Sequence, residues 1–86
     1  MRILLVEDDN QTSAFIAKGL REAGHAVDHA ADGKQGLFLA STEPFDVIVL
    51  DRMLPGLDGL AVLRTLRGAG NRTPVLVLTA LGDVDH

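Results

Sequence analysis

"LLVEDDN", residues Leu4 to Asn10, runs an apolar strand directly into three consecutive acids, Glu7, Asp8 and Asp9. Mutual repulsion and partial burial both oppose folding at such a place. A cluster of this kind calls for a cation and for a further acid supplied from elsewhere in the chain. Read outward from it, "RILLV" (Arg2 to Val6) is a strand buried on both faces, as parallel sheets require.

The pattern then alternates. From Asn10 to about Ala23, residues Phe15, Ile16, Gly19, Leu20 and Ala23 share one side of a 3.6-residue period, which predicts an amphipathic helix, with Gly24 as its stop. "HAVDHA" (His25 to Ala30) is a short strand anchored by Val27. "DGKQGLFLAS" (Asp32 to Ser41) is helical with Leu37 and Ala40 inward, although Gly33 and Gly36 weaken its propensity. Pro44 ends it, because the residue before a proline is pushed out of helical geometry. "FDVIVLD" (Phe45 to Asp51) is a strand that also finishes on an acid. After the turn dipeptides Pro55-Gly56 and Asp58-Gly59, Leu60, Leu63 and Leu66 mark a helix up to about Gly68, and "PVLVLTA" (Pro74 to Ala80) is a fourth strand. Strands alternating with helices predict an α/β fold, a doubly wound parallel sheet in the order β-α-β-α-β-α-β. The fourth strand would show an apolar, unpaired edge. Either partner chains cover that edge, allowing self-association through it, or part of a larger domain lies outside these 86 residues.

Composition narrows the classes. Eighty-six residues with 47% hydrophobic content suit one small packed domain, burying about 60–65% of its unfolded surface. A net charge of −4 gives no general attraction to nucleic acid or an anionic membrane. There is no cysteine, so disulfides and thiolate metal sites are excluded. No run approaches the roughly 20 apolar residues of a membrane span, no signal peptide is expected, and the expected location is cytoplasmic.

In an open parallel sheet, ligands bind beyond the carboxyl ends of the strands, where strand order reverses. Strand one delivers Glu7, Asp8 and Asp9 there, strand three Asp51, and strand four Thr79. If strands one and three are neighbours, Asp8 and Asp51 face each other. Two carboxylates about 5 Å apart repel by roughly 3 kcal/mol at an effective dielectric near 20. An oxygen-only set without His or Cys points to Mg²⁺ or Mn²⁺. Mg²⁺ keeps room for a phosphoryl oxygen, and an aspartate can accept phosphoryl as an acyl phosphate. The competing readings are structural: Asp9 or Asn10 caps the following helix, Asp58 serves a turn or cap, and Thr79 is a strand-end hydroxyl. His25 and His29 read as surface strand residues. No GxGxxG follows any strand, which leaves nucleotide binding without support.

Together, "LLVEDD", "VIVLDRMLPGLDG" and "PVLVLTA" resemble the receiver domain of bacterial two-component response regulators, over the whole chain. The "DRMLPGLDG" segment is most similar to the OmpR/PhoB-type branch, transcription factors with a winged-helix domain. The resemblance implies a flavodoxin-like sheet of order 2-1-3-4-5. It implies Asp51 as the phosphoacceptor, Asp8 as a direct Mg²⁺ ligand, Glu7 acting through a bound water, and Met53 completing the metal shell with its backbone carbonyl. Thr79 matches the hydroxyl that turns to the phosphoryl group, and Ala80 the small residue beside it. Side chains at Met53 and Leu81 match positions that control water access to the acyl phosphate. The family continues through a fifth strand bearing a phosphate-binding lysine and a fifth helix, which are expected to be absent from these residues, so phosphorylation of the 86 residues alone is expected to be weak.

The implied function is a phosphoacceptor switch rather than a turnover enzyme. Its partner would be a sensor histidine kinase, and DNA would be bound only through a C-terminal domain outside this chain. Two alternatives stand beside it: a non-phosphorylatable interaction module, and a metal-dependent phosphohydrolase. The second needs a general acid two residues after its nucleophile, where this chain has Met53.

Overall fold

The computed structural model describes residues 1–78. Along the chain come β1 (Arg2–Val6), α1 (Asn10–Glu22), β2 (Ala26–Ala30), α2 (Gly33–Thr42), β3 (Val47–Asp51), α3 (Gly59–Gly68) and β4 (Val75–Leu78). All pairings are parallel and the sheet order is β2-β1-β3-β4. This is the doubly wound arrangement expected from the alternation. No fifth strand or helix has a counterpart among the described residues, and β4 is the outer strand among them, with Leu76 exposed.

The pleat divides β1 between two cores. Leu4 and Val6 point to the layer beneath α2 and α3, with Ile48, Leu50, Val62 and Leu66. Ile3 and Leu5 point to the layer beneath α1, with Ala17, Val27 and Val49. Leu4, Leu5 and Val6 have no exposed surface, which is why the strand reads as an unbroken apolar run.

Each helix starts on an aspartate. Asp9, Asp32 and Asp58 are the N-caps of α1, α2 and α3 and accept hydrogen bonds from the amides of Thr12, Gln35 and Ala61. The capping reading of Asp9 and Asp58 is thus what the structure contains. Helix α1 stops as expected: Gly24 has φ +96°, its N–H bonds to the Arg21 carbonyl and that of His25 to the Leu20 carbonyl. That pair of bonds is a Schellman motif, which uses the left-handed conformation glycine adopts readily.

Two expectations need correction. Phe15 does not face the sheet; it is 81% exposed. The inner stripe of α1 is Ser13 and Ala17, flanked by the partly buried Ile16 and Leu20. Phe15 lies two positions before Ala17, about 200° away around a 3.6-residue helix, and the small residues are the ones that let α1 sit close to the strands. Gly36, read as a weak point of α2, is instead a contact: a Cβ there would lie 2.8 Å from both γ carbons of Val6.

Candidate functional site

Register places the acids. Val6 of β1 is paired with Leu50 of β3, so the next residues, Glu7 and Asp51, stand side by side at the carboxyl ends of the two strands. One carboxylate oxygen each from Glu7, Asp8 and Asp51 lies within 4.8 Å of the others. The expected convergence of strands one and three is therefore a geometric fact. Glu7 is buried, Asp51 half-buried and Asp8 exposed, so the cluster opens to solvent on the Asp8 side.

Each acid is held differently. Glu7 Oε2 accepts the amide N–H of Asp9 at 3.0 Å. Its own N–H donates to the Ala30 carbonyl at 3.0 Å, and its carbonyl accepts from His29 Nε2 at 2.7 Å. Burial pushes the Glu7 carboxyl above its ordinary pKa; the Asp9 amide works the other way, and the nearby Asp51 adds to the rise. Asp51 Oδ1 accepts the Met53 N–H at 3.1 Å, which anchors the start of the β3–α3 loop to the acid. Asp9 stands apart from the cluster. It is bound by the hydroxyl and amide of Thr12, which hold its carboxyl below the usual range.

The loop after β3 is built for close approach. Gly59, at the start of α3, donates its N–H to the Arg52 carbonyl at 3.0 Å, and a Cβ on it would lie 2.3 Å from the Asp51 carbonyl oxygen. No residue but glycine fits there without moving Asp51. The Met53 side chain is 69% exposed. Thr79, Ala80 and Leu81 lie outside the described residues.

Sequence reasoning overlooked His29, whose ring braces the Glu7 backbone from β2, and the spatial role of Gly59. The "DG" pair signalled a turn, but nothing in it revealed contact with the Asp51 backbone. As a donor set, three carboxylates with open access on one side suit a hard divalent cation, which accepts oxygen ligands and tolerates water in its shell. Among the described residues no helix is long and apolar enough to cross a membrane.

Comparison with known proteins gives this geometry its context. The family of response regulator receiver domains matches residues 3–86, and the chain belongs to it. It is 51% identical over 86 residues to the probable transcriptional regulatory protein SilR of Salmonella typhimurium, covering all of this chain and 38% of that protein. Its affinity is with the OmpR/PhoB-type branch, as the "DRMLPGLDG" segment implied. Among solved structures, the receiver domain of the Francisella response regulator 1452 superposes with a TM-score of 0.91 at 40% identity, over 98% of this chain and 69% of that one. The receiver domain of the sensor histidine kinase PA1611 from Pseudomonas aeruginosa PAO1, solved with a magnesium ion coordinated in its active-site cleft, gives 0.89 at 37% identity, over 98% and 70%. The chain thus spans well under half the length of the curated relatives it matches.

Proposed function

We propose that this chain is the phosphoacceptor part of a two-component switch: Asp51 takes a phosphoryl group from a sensor histidine kinase and thereby controls a DNA-binding transcriptional regulator. The observation that carries this reading is the meeting of Glu7, Asp8 and Asp51 oxygens within 4.8 Å, at the carboxyl ends of adjacent strands, in a receiver-family chain. Residues 1–86 are then the N-terminal part of the receiver, and DNA is bound by a C-terminal effector domain outside them. The transcriptional-regulator names of much longer relatives support that division.

The chemistry follows from how Asp51 is held. Oδ1 accepts the Met53 amide, which supports assigning Oδ2 as the oxygen that attacks phosphorus. It forms the new O–P bond as the N–P bond of the kinase phosphohistidine breaks, and the electron pair of that bond stays on the imidazole nitrogen. Asp8, Asp51 and the Met53 backbone carbonyl would hold Mg²⁺ (or Mn²⁺), with Glu7 reaching it through water; bound there, the ion neutralises charge on the phosphoryl oxygens. The magnesium in the PA1611 receiver supports this assignment. Thr79 then meets the phosphoryl group and Ala80 leaves room for it. Met53 and Leu81 are apolar where water would approach, so they retard hydrolysis. Met53→Asn in the intact protein is expected to shorten the acyl-phosphate half-life severalfold, read by loss of radiolabel.

The deciding experiment is phosphotransfer to the intact protein from a sensor kinase, with and without Mg²⁺. Label on the wild type that needs Mg²⁺ and disappears in Asp51→Asn is the expected result. Undiminished labelling of Asp51→Asn would overturn the reading, and sustained phosphate release from many small substrates would favour a phosphohydrolase.

A further inference from the structure

The β3–α3 loop, residues 52–58, bears Met53 and is short and internally tied. Leu57 N–H bonds to the Pro55 carbonyl at 3.0 Å, Gly56 takes φ +79°, and the Gly59 amide returns to the Arg52 carbonyl. Leu54 is buried in the core beneath α2 and α3, and Leu57 packs against the same core. These bonds tie both ends of the loop to its own backbone, with Arg52 and Met53 at the end opposite Leu57. One outside element presses on it. A Cβ at Gly33, in the first turn of α2, would lie 1.8 Å from the Leu57 carbonyl oxygen and 2.8 Å from its carbon. Those are backbone atoms, which cannot swing aside as a side-chain tip can. The backbone of Gly33 is not in the left-handed region, so the glycine is required by space rather than by conformation.

We infer that Gly33 is a positioning residue for the cation site: its bare Cα lets α2 seat against the Leu57 carbonyl, and that seat fixes where the loop presents the Met53 carbonyl. The inference rests on the metal-assisted reading above. The N-terminus of α2 is itself held in place. Asp32 Oδ1 accepts the Gln35 N–H at 2.8 Å, and the Gln35 side chain accepts the Ala31 N–H at 3.0 Å. Alanine is the better helix former, so by propensity alone Gly33→Ala would be favourable. Contact with the loop reverses that sign.

Mg²⁺ titration of the intact protein tests this. Gly33→Ala is expected to weaken Mg²⁺ binding at least fivefold, and to speed hydrogen exchange at the Gly59 amide in metal-free protein. Val27→Ala, which destabilises the opposite core layer, should leave the dissociation constant within twofold and so measures what destabilisation alone does. Asp32→Ala loosens the same helix end without adding atoms and is expected to weaken binding two- to threefold relative to Asp32→Asn, which keeps the cap and removes the same charge. Unchanged affinity in a folded Gly33→Ala, or an effect matched by Val27→Ala, overturns the inference; should Gly33→Ala not fold, equality of Asp32→Ala and Asp32→Asn overturns it. A wild type that binds no Mg²⁺ at all would instead sink the metal reading itself.

Discussion

The two ends of the sheet both gather acids, and they treat them in opposite ways. Near the amino ends of β1 and β3, Asp28, Glu43 and Asp46 all bond to one residue, Arg2. The Arg2 guanidinium bonds Asp28 at 2.9 Å and Glu43 at 2.8 Å, the Arg2 amide bonds Asp46 at 2.7 Å, and the guanidinium stacks 4.7 Å from the centre of the Phe45 ring. At the carboxyl ends, Glu7, Asp8 and Asp51 converge with no basic side chain bonded to their carboxylates among the described residues. Acids answered from within the chain are scaffolding. Acids left crowded together carry an uncompensated repulsion, which a bound cation would relieve.

The sharpest way to break this contrast is to exchange carboxylates at each end. Asp51→Asn should abolish phosphotransfer, a loss of at least about 10³-fold if the nucleophile is gone, whereas Asp46→Asn should leave it within twofold; intact mass after kinase treatment reads both. Next in size, Asp8→Asn should weaken Mg²⁺ binding about tenfold, about 1.4 kcal/mol, and Arg2→Met should not change it. Calorimetric titration distinguishes the two.

A third effect concerns pH. Burial raises the Glu7 pKa in the folded protein, so just above the ordinary carboxylate range the native state holds a proton that the unfolded chain has released. Stability of the metal-free protein therefore falls as pH rises through that window and stays reduced above it. Glu7→Gln should raise the melting temperature at pH 7 in a chelator and should remove the pH-dependent loss. Asp9 has the reverse sign: its lowered pKa gives stability that is full above the ordinary aspartate value and fades as pH falls. The smallest expected change is a slight, salt-sensitive drop in melting temperature for Arg2→Met, since exposed ion pairs contribute little.

Much of this was legible in the residues. The apolar runs 2–6 and 47–51 give the sheet, because strands buried on both faces have no polar alternation to obscure them. The acid at the end of each run places the candidate site once those strands are neighbours. What the sequence concealed was spatial. Gly33 and Gly36 look like weak helix residues until Leu57 and Val6 are seen against them. Phe15 looks like core because apolar character does not say which side of a helix the sheet occupies; the small Ser13 and Ala17 decide that. The tie between His29 and the Glu7 carbonyl depends on β1–β2 pairing, which no local pattern encodes.

The ladder between Val6 and Leu50 has one last implication. Sliding β1 by a single position would advance Glu7 and Asp8 about 3.3 Å past Asp51 and would also turn Leu4 and Val6 toward the wrong layer. The same slip would draw Arg2 into the buried place of Ile3, so an error that would spoil the chemistry is also an error of burial. Folding screens out misaligned copies before any ligand arrives, and the site inherits its accuracy from grease rather than from charge.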